Sequence, residues 1–162
     1  RPGVITIGSF DGKGDFNIIK DSVTIEGDVR CMSNEDREMI EREVKAMCKG
    51  MEEAYSCKID LDYKNDYPVL MNDDEMTQLV VDAVSEANIP NVTGVEDCGP
   101  LSPSEDFSYY SQKLPSCFFY IGAMPKGEAY PHHHPKFDID EDSMMIAAKS
   151  MGAVVLKYLG DC

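Results

Sequence analysis

The chain has 162 residues, 43% of them hydrophobic, and carries a formal net charge of −15 with a pI near 4.4. That length suits one ordinary domain or two small lobes, and the hydrophobic share excludes wholesale disorder. So negative a surface repels phosphate backbones, which excludes nucleic acid as a partner. No apolar run reaches the roughly 18 residues of a membrane span, and no basic-then-apolar leader opens the chain, so a cytoplasmic protein away from membranes is expected.

In chain order, Val4–Phe10 (VITIGSF) reads as a strand that the sequence enters with almost no lead-in, as though it began in mid-fold. A Gly- and Asp-rich stretch leads to Ser22–Arg30, whose alternation predicts a second strand with one fairly exposed face. Ser33 opens a helix with a capping box in outline, since Asp36 stands three residues on. Ile40, Val44, Met47 and Met51 then recur at helical spacing and predict a buried stripe. Lys58–Tyr63 (KIDLDY) alternates strictly and predicts a third strand. Residues 1–66 therefore read β-β-α-β, a ferredoxin-like α+β lobe without its first strand and first helix.

Tyr67–Leu70 reads as a crossing between lobes. Asn72, with Glu75, predicts the cap of a second helix that buries Met76, Leu79, Val80, Ala83, Val84 and Ala87 and stops at Pro90. A short strand near Val92–Val95, a short helix around Asp106–Gln112 and a fully buried strand at Cys117–Ala123 (CFFYIGA) follow. The last helix is expected from about Glu141 to Leu159, with Met144, Ala148, Met151 and Val155 inward. Residues 70–162 thus read α-β-α-β-α, the end of an α/β sheet domain. The six cysteines (31, 48, 57, 98, 117 and 162) form no C-x-x-C pair and read as reduced core thiols.

All the histidines stand together in PHHHPKFDIDEDS, at His132, His133 and His134. They follow an expected buried strand and precede a helix, a place where ligand-binding residues gather in α/β sheets. Neighbouring histidines diverge, so one of them is a candidate ligand and the others flank it; a solvated loop is the competing reading, and the residues alone leave both open. A catalytic zinc needs three protein ligands and an open position, which this chain does not obviously complete, so other ligands are expected on a missing partner segment. In Ser104–Phe107 (SEDF), Glu105 and Asp106 are acid/base candidates, but N-capping by Ser104 is the simpler expectation. Asn17 and Arg30, thirteen residues apart, are a third candidate pair.

The order N-x-x-x-D…G-x-V-R, S-E-D-F-S-Y-Y, P-x-x-F-F-Y-I-G and H-H-P-K-F-D-I-D-E resembles the C-terminal half of the zinc-dependent amidohydrolase and metallopeptidase family M20. Hippurate hydrolases, N-acyl-amino-acid amidohydrolases and auxin-conjugate hydrolases belong to it. The resemblance implies a partial lid or dimerisation domain over residues 1–68 and the C-terminal portion of a catalytic domain over 69–162. It implies two divalent metal ions per complete active site (zinc, manganese, cobalt or nickel), with His133 as one ligand. It implies Asn17 and Arg30 as substrate-binding residues, a homodimer formed through the lid, and an N-acyl amino acid or small peptide as substrate. No catalytic residue is implied within this chain: the general-base glutamate and the remaining ligands belong to a missing N-terminal half, so the chain alone is expected to be inactive. Two departures are mild, Lys20 where the family has Pro and Ser116 where it has Gly. The alternative function is a non-catalytic dimerisation or ligand-binding module derived from the same family.

Overall fold

The computed structural model describes residues 3–160. They form two compact units, one of residues 3–69 with Gly99–Asp106, the other of Leu70–Cys98 with residues 107–160. The first unit holds strands β1 (Val4–Asp11) and β2 (Thr24–Arg30) and helix α1 (Asn34–Tyr55). The second holds α2 (Asp74–Glu86), α3 (Ser108–Ser111) and α4 (Asp142–Gly160).

β1 and β2 pair antiparallel from Val4 opposite Arg30 to Asp11 opposite Thr24, with a register slip between Ile7 and Ser9. Gly27 lies opposite Ile7, and a Cβ there would stand 2.6 Å from the Thr6 carbonyl oxygen, so this close approach of backbones requires glycine. α1 starts where the sequence predicts. The Ser33 hydroxyl oxygen accepts the Asp36 N–H at 3.1 Å, and the hydroxyl donates to the Asp36 carboxylate at 2.7 Å. The helix ends at Ser56, which takes a left-handed φ of 52°.

Three expected strands do not form ladders. Among the described residues β1 and β2 are the paired strands, and Lys58–Tyr63, Val92–Val95 and Cys117–Ala123 pair with no other. A strand needs a neighbour for its row of N–H and C=O groups. β1 and β2 supply each other, and side chains meet some of the rest. The Ile59 N–H donates to the Glu52 carboxylate at 2.8 Å. The Asn72 amide clamps Phe118 on both sides, accepting its N–H at 2.8 Å and donating to its carbonyl at 2.9 Å. The first unit is therefore β-β-α where β-β-α-β was expected. The regular structure of the second unit is helical, although its strand-forming run is present in sequence.

That use of Asn72 also corrects the cap of α2. Asp73 caps it, its carboxylate accepting the Met76 N–H at 3.0 Å, because the Asn72 side chain is spent on Phe118. Val80, Ala83 and Val84 of α2 are buried, with Ile89 just beyond, while Ala87 is exposed. α4 turns a different face inward from the one its large residues suggest. Ser143 and Ser150 are buried, with Ile146, Ala147, Ala153 and Val154 partly so, whereas Met144, Met151 and Val155 point outward. Small side chains let α2 and α4 approach closely, and that contact selects the face. Met47 and Met51 of α1 are likewise exposed, and Ile40 is the buried residue of their stripe. Cys31, Cys48, Cys57, Cys98 and Cys117 are reduced, as expected, but none is buried and Cys57 and Cys98 are exposed. Cys162 lies outside the described residues.

The accessible surface is 13059 Å² for an 18.0 kDa chain. A folded monomer of that mass exposes about 8,000 Å², and two separate domains of half the mass about 9,700 Å² together. β1 accounts for part of the excess, since Val4, Ile5, Ile7 and Phe10 are all more than half exposed.

Burial raises the pKa of the Cys31 thiol, against a lowering influence of Arg37, and burial also raises that of Cys117. Less thiolate forms at both, so at about pH 8 iodoacetamide is expected to modify Cys57 and Cys98 before Cys31 and Cys117. Equal rates in a peptide map would show that the burial is not maintained. Asp73→Ala is expected to cost about 1 kcal/mol of unfolding free energy in urea, from loss of the α2 cap, and Ser33→Ala the same at α1. An unchanged urea midpoint would remove the cap from the account.

Candidate functional site

The histidine loop is tied at its neck, where the Asp140 N–H donates to the Ala123 carbonyl at 3.0 Å. Two turns follow each other within it. The His134 N–H donates to the Pro131 carbonyl at 3.1 Å, and the Phe137 N–H donates to the His134 carbonyl at 2.9 Å. Pro135 occupies the second position of the later turn, which its fixed φ suits. His133 occupies the third position of the earlier turn with φ 67°. A positive φ there is the mark of a type II turn, a place that favours glycine or asparagine and costs an L-residue with a Cβ about 1–2 kcal/mol.

The three histidines are sorted by their neighbours. His134 stacks on Tyr130, with ring centroids 4.5 Å apart and planes 12° from parallel, and its Nδ1 accepts the Lys136 N–H at 3.1 Å. His132 lies against Phe137 at 5.1 Å. The His133 ring is exposed and has neither a hydrogen bond nor a ring contact among the described residues. A neutral imidazole so presented can donate a ring nitrogen to a divalent cation, so His133 fits the role of one ligand. Among the described residues no group of three or more His, Cys, Asp or Glu side chains is placed to hold an ion. The donor set here fits a single contribution to a metal centre.

In the first unit, Arg30 ends β2 with its guanidinium divided between two partners. Its Nε donates to the Asp28 carboxylate at 2.6 Å, and its Nη1 donates to the Ser102 carbonyl at 3.0 Å. Its Nη2 has no partner among the described residues. Asn17 sits exposed in a turn closed by the Ile18 N–H donating to the Asp15 carbonyl at 3.2 Å, and it shares no hydrogen bond with Arg30. Arg30 is thus hydrogen-bonded to Ser102 and shares no hydrogen bond with Asn17.

Capping by Ser104 does not occur. α3 begins at Ser108, and the residue before it, Phe107, makes no side-chain capping bond. Glu105 is half-buried and Asp106 exposed. Sequence reasoning missed Tyr130, whose hydroxyl donates to Glu128 at 2.7 Å and whose phenol pKa is raised by that bond and by burial. The one available signal was an aromatic residue four positions before His134, across a turn that Pro131 begins. The contact from Arg30 to Ser102 left no local trace in sequence.

The family model for peptidase family M20/M25/M40 matches residues 3–157. The N-acetyldiaminopimelate deacetylase of Bacillus pumilus is 32% identical over 158 residues, which is 98% of this chain and 40% of the deacetylase. A crystal structure described provisionally as an aminohydrolase, from methicillin-resistant Staphylococcus aureus, is 53% identical with a TM-score of 0.86 and is matched over 98% of this chain and 40% of its own. A Bacillus subtilis structure, YXEP, described as a dinuclear metal binding peptidase from the M20 family, shares the fold at a TM-score of 0.70 and 22% identity, covering 96% of this chain and 42% of that one. The chain therefore spans about two fifths of the length of the relatives it matches.

The left-handed backbone at His133 gives a test that needs no metal. In metal-free protein, His133→Gly is expected to be more stable than His133→Ala by about 1 kcal/mol, because glycine alone is relieved at positive φ. Equal urea midpoints would show that the turn relaxes when the ring is removed.

Proposed function

The chain belongs to peptidase family M20/M25/M40, and on that premise we propose that it is the C-terminal part of a metal-dependent amidohydrolase that cleaves the amide bond of N-acyl amino acids or small peptides. The observation that carries this reading is His133: the unpartnered ring at a turn position that an L-residue occupies at a cost, two residues before Pro135 in the H-x-P order. The names of the relatives support the substrate class, one being a deacetylase of an N-acetylated amino acid. The description of YXEP as dinuclear supports two divalent ions per complete site.

In this reading residues 1–68 are part of a lid that also joins two copies of the protein, and 69–162 are part of the catalytic domain. Among the described residues no helix is long and apolar enough to cross a membrane, and we place the protein in the cytoplasm. Bound divalent ions supply Lewis acidity and a water acidic enough to act as nucleophile near neutral pH. The residues of this chain do the holding. His133 donates a ring nitrogen to one ion. Arg30, through Nη2, and Asn17, through its amide, grip the substrate carboxylate or the oxygen on which negative charge develops. The general-base glutamate and the other ligands come from outside these residues, so the 162-residue chain by itself is inactive.

In the whole protein, His133→Ala is expected to lower both metal affinity and kcat/KM on hippurate-like substrates by at least about a hundredfold. Unchanged turnover would remove His133 from the site and favour the non-catalytic module. Arg30→Ala is expected to lower kcat/KM about 10–100-fold on substrates with a free carboxylate, the worth of one charged hydrogen bond, and to leave their amidated counterparts unaffected. An equal loss on both would show that Arg30 does not read the carboxylate.

A further inference from the structure

Three contacts converge on Tyr130. Its hydroxyl donates to Glu128 at 2.7 Å, its ring stacks on His134 at 4.5 Å, and the Lys136 ammonium stands 5.4 Å from its centroid. Lys136 and His134 are themselves joined, since His134 Nδ1 accepts the Lys136 N–H at 3.1 Å. That bond places the proton of a neutral His134 on Nε2. The N–H of His134 also closes the turn whose corner is His133. One half-buried ring thus holds the residue immediately after His133 by stacking and a second residue by a cation–π contact.

We propose that Tyr130 is a positioning residue for His133: its ring is the platform that holds His134, and through His134 the left-handed turn that presents the His133 imidazole. The physical reason is cost. A histidine at positive φ relaxes unless its neighbours over-determine the turn. The turn's own hydrogen bond is exposed to water and cannot do this alone, whereas a planar stack fixes both the ring of His134 and the direction of the chain. Lys136 completes the arrangement from the far side of Pro135, so both turns of the loop rest on the same phenol ring. The inference rests on His133 being a metal ligand.

The test uses the whole protein, stripped of metal, with zinc affinity measured by competition against a chromophoric chelator and the Co(II) absorption spectrum as a second readout. Tyr130→Phe keeps the ring and loses the bond to Glu128; it is expected to bind zinc as the wild type does. Tyr130→Leu keeps apolar bulk without a stacking plane, and Tyr130→Ala keeps neither; both are expected to bind about tenfold more weakly, with an altered Co(II) spectrum. Wild-type affinity and spectrum in the Leu and Ala variants would overturn the proposal. So would a Phe variant as weak as Ala, because the hydroxyl and not the ring would then be responsible. His133→Ala separates the two layers of the argument. If it binds zinc like the wild type, the metal-ligand reading itself falls; if it binds weakly while Tyr130→Ala does not, only the platform falls.

Discussion

The close contact between α2 and α4 organises the second unit. Val80, Ala83 and Val84 supply the apolar side of it, and Ser143 and Ser150 supply little bulk from the other, so the two helices meet through short side chains. Each buried aliphatic side chain contributes about 1.5–3 kcal/mol, and the Lys157 ammonium adds a tie to Glu86 at 2.8 Å. The contact has a cost inside it. The Ser150 hydroxyl on α4 is buried with no hydrogen-bond partner among the described residues, a state that native proteins tolerate rarely. It also dictates where the large residues of α4 go. With the small stripe turned toward α2, Met144, Met145, Leu156 and Leu159 can only face outward.

Those outward faces explain the excess of accessible surface. A helix apolar nearly all round is at home in a core, and α4 is one, while a two-stranded sheet exposed on both faces is only marginally stable in water. The high negative charge keeps such a surface from associating indiscriminately. What remains is a molecule whose apolar faces suit specific neighbours better than solvent.

The helices were legible in sequence because their signals are local. Ser33 caps α1 as the capping pattern predicts, and α4 runs within a residue of its expected ends. The buried face was legible for α2, where Val80, Ala83 and Val84 are buried as their spacing predicts; it was not for α4, because the face depends on the partner: the methionine stripes of α1 and α4 are periodic, yet small residues won the contact on α4. Strand runs were legible as compositions but not as ladders. Cys117–Ala123 has the residues of a buried strand, and pairing is a property of two segments. Asn72 shows the same limit at one residue, since its capping signal gave way to a hydrogen-bond demand 46 positions away. The histidine loop was found as a cluster, but the left-handed turn that distinguishes His133 from its neighbours is a matter of backbone and could not be read from three identical letters.

The bond from Arg30 to Ser102 joins residues 72 positions apart within the first unit, which is discontinuous along the chain. This bears on the order of events during synthesis. Closing a loop of that length costs about 4 kcal/mol of chain entropy. At ribosomal rates the intervening residues take about 4–14 seconds to emerge. β1, β2 and α1 are complete long before Ser102 exists, and the end of β2 must wait for it. The α2 segment and the stretch as far as Cys98 are translated during that wait. The two units therefore cannot mature strictly one after the other from the N-terminus; the earlier one is finished only when the later one is already under way.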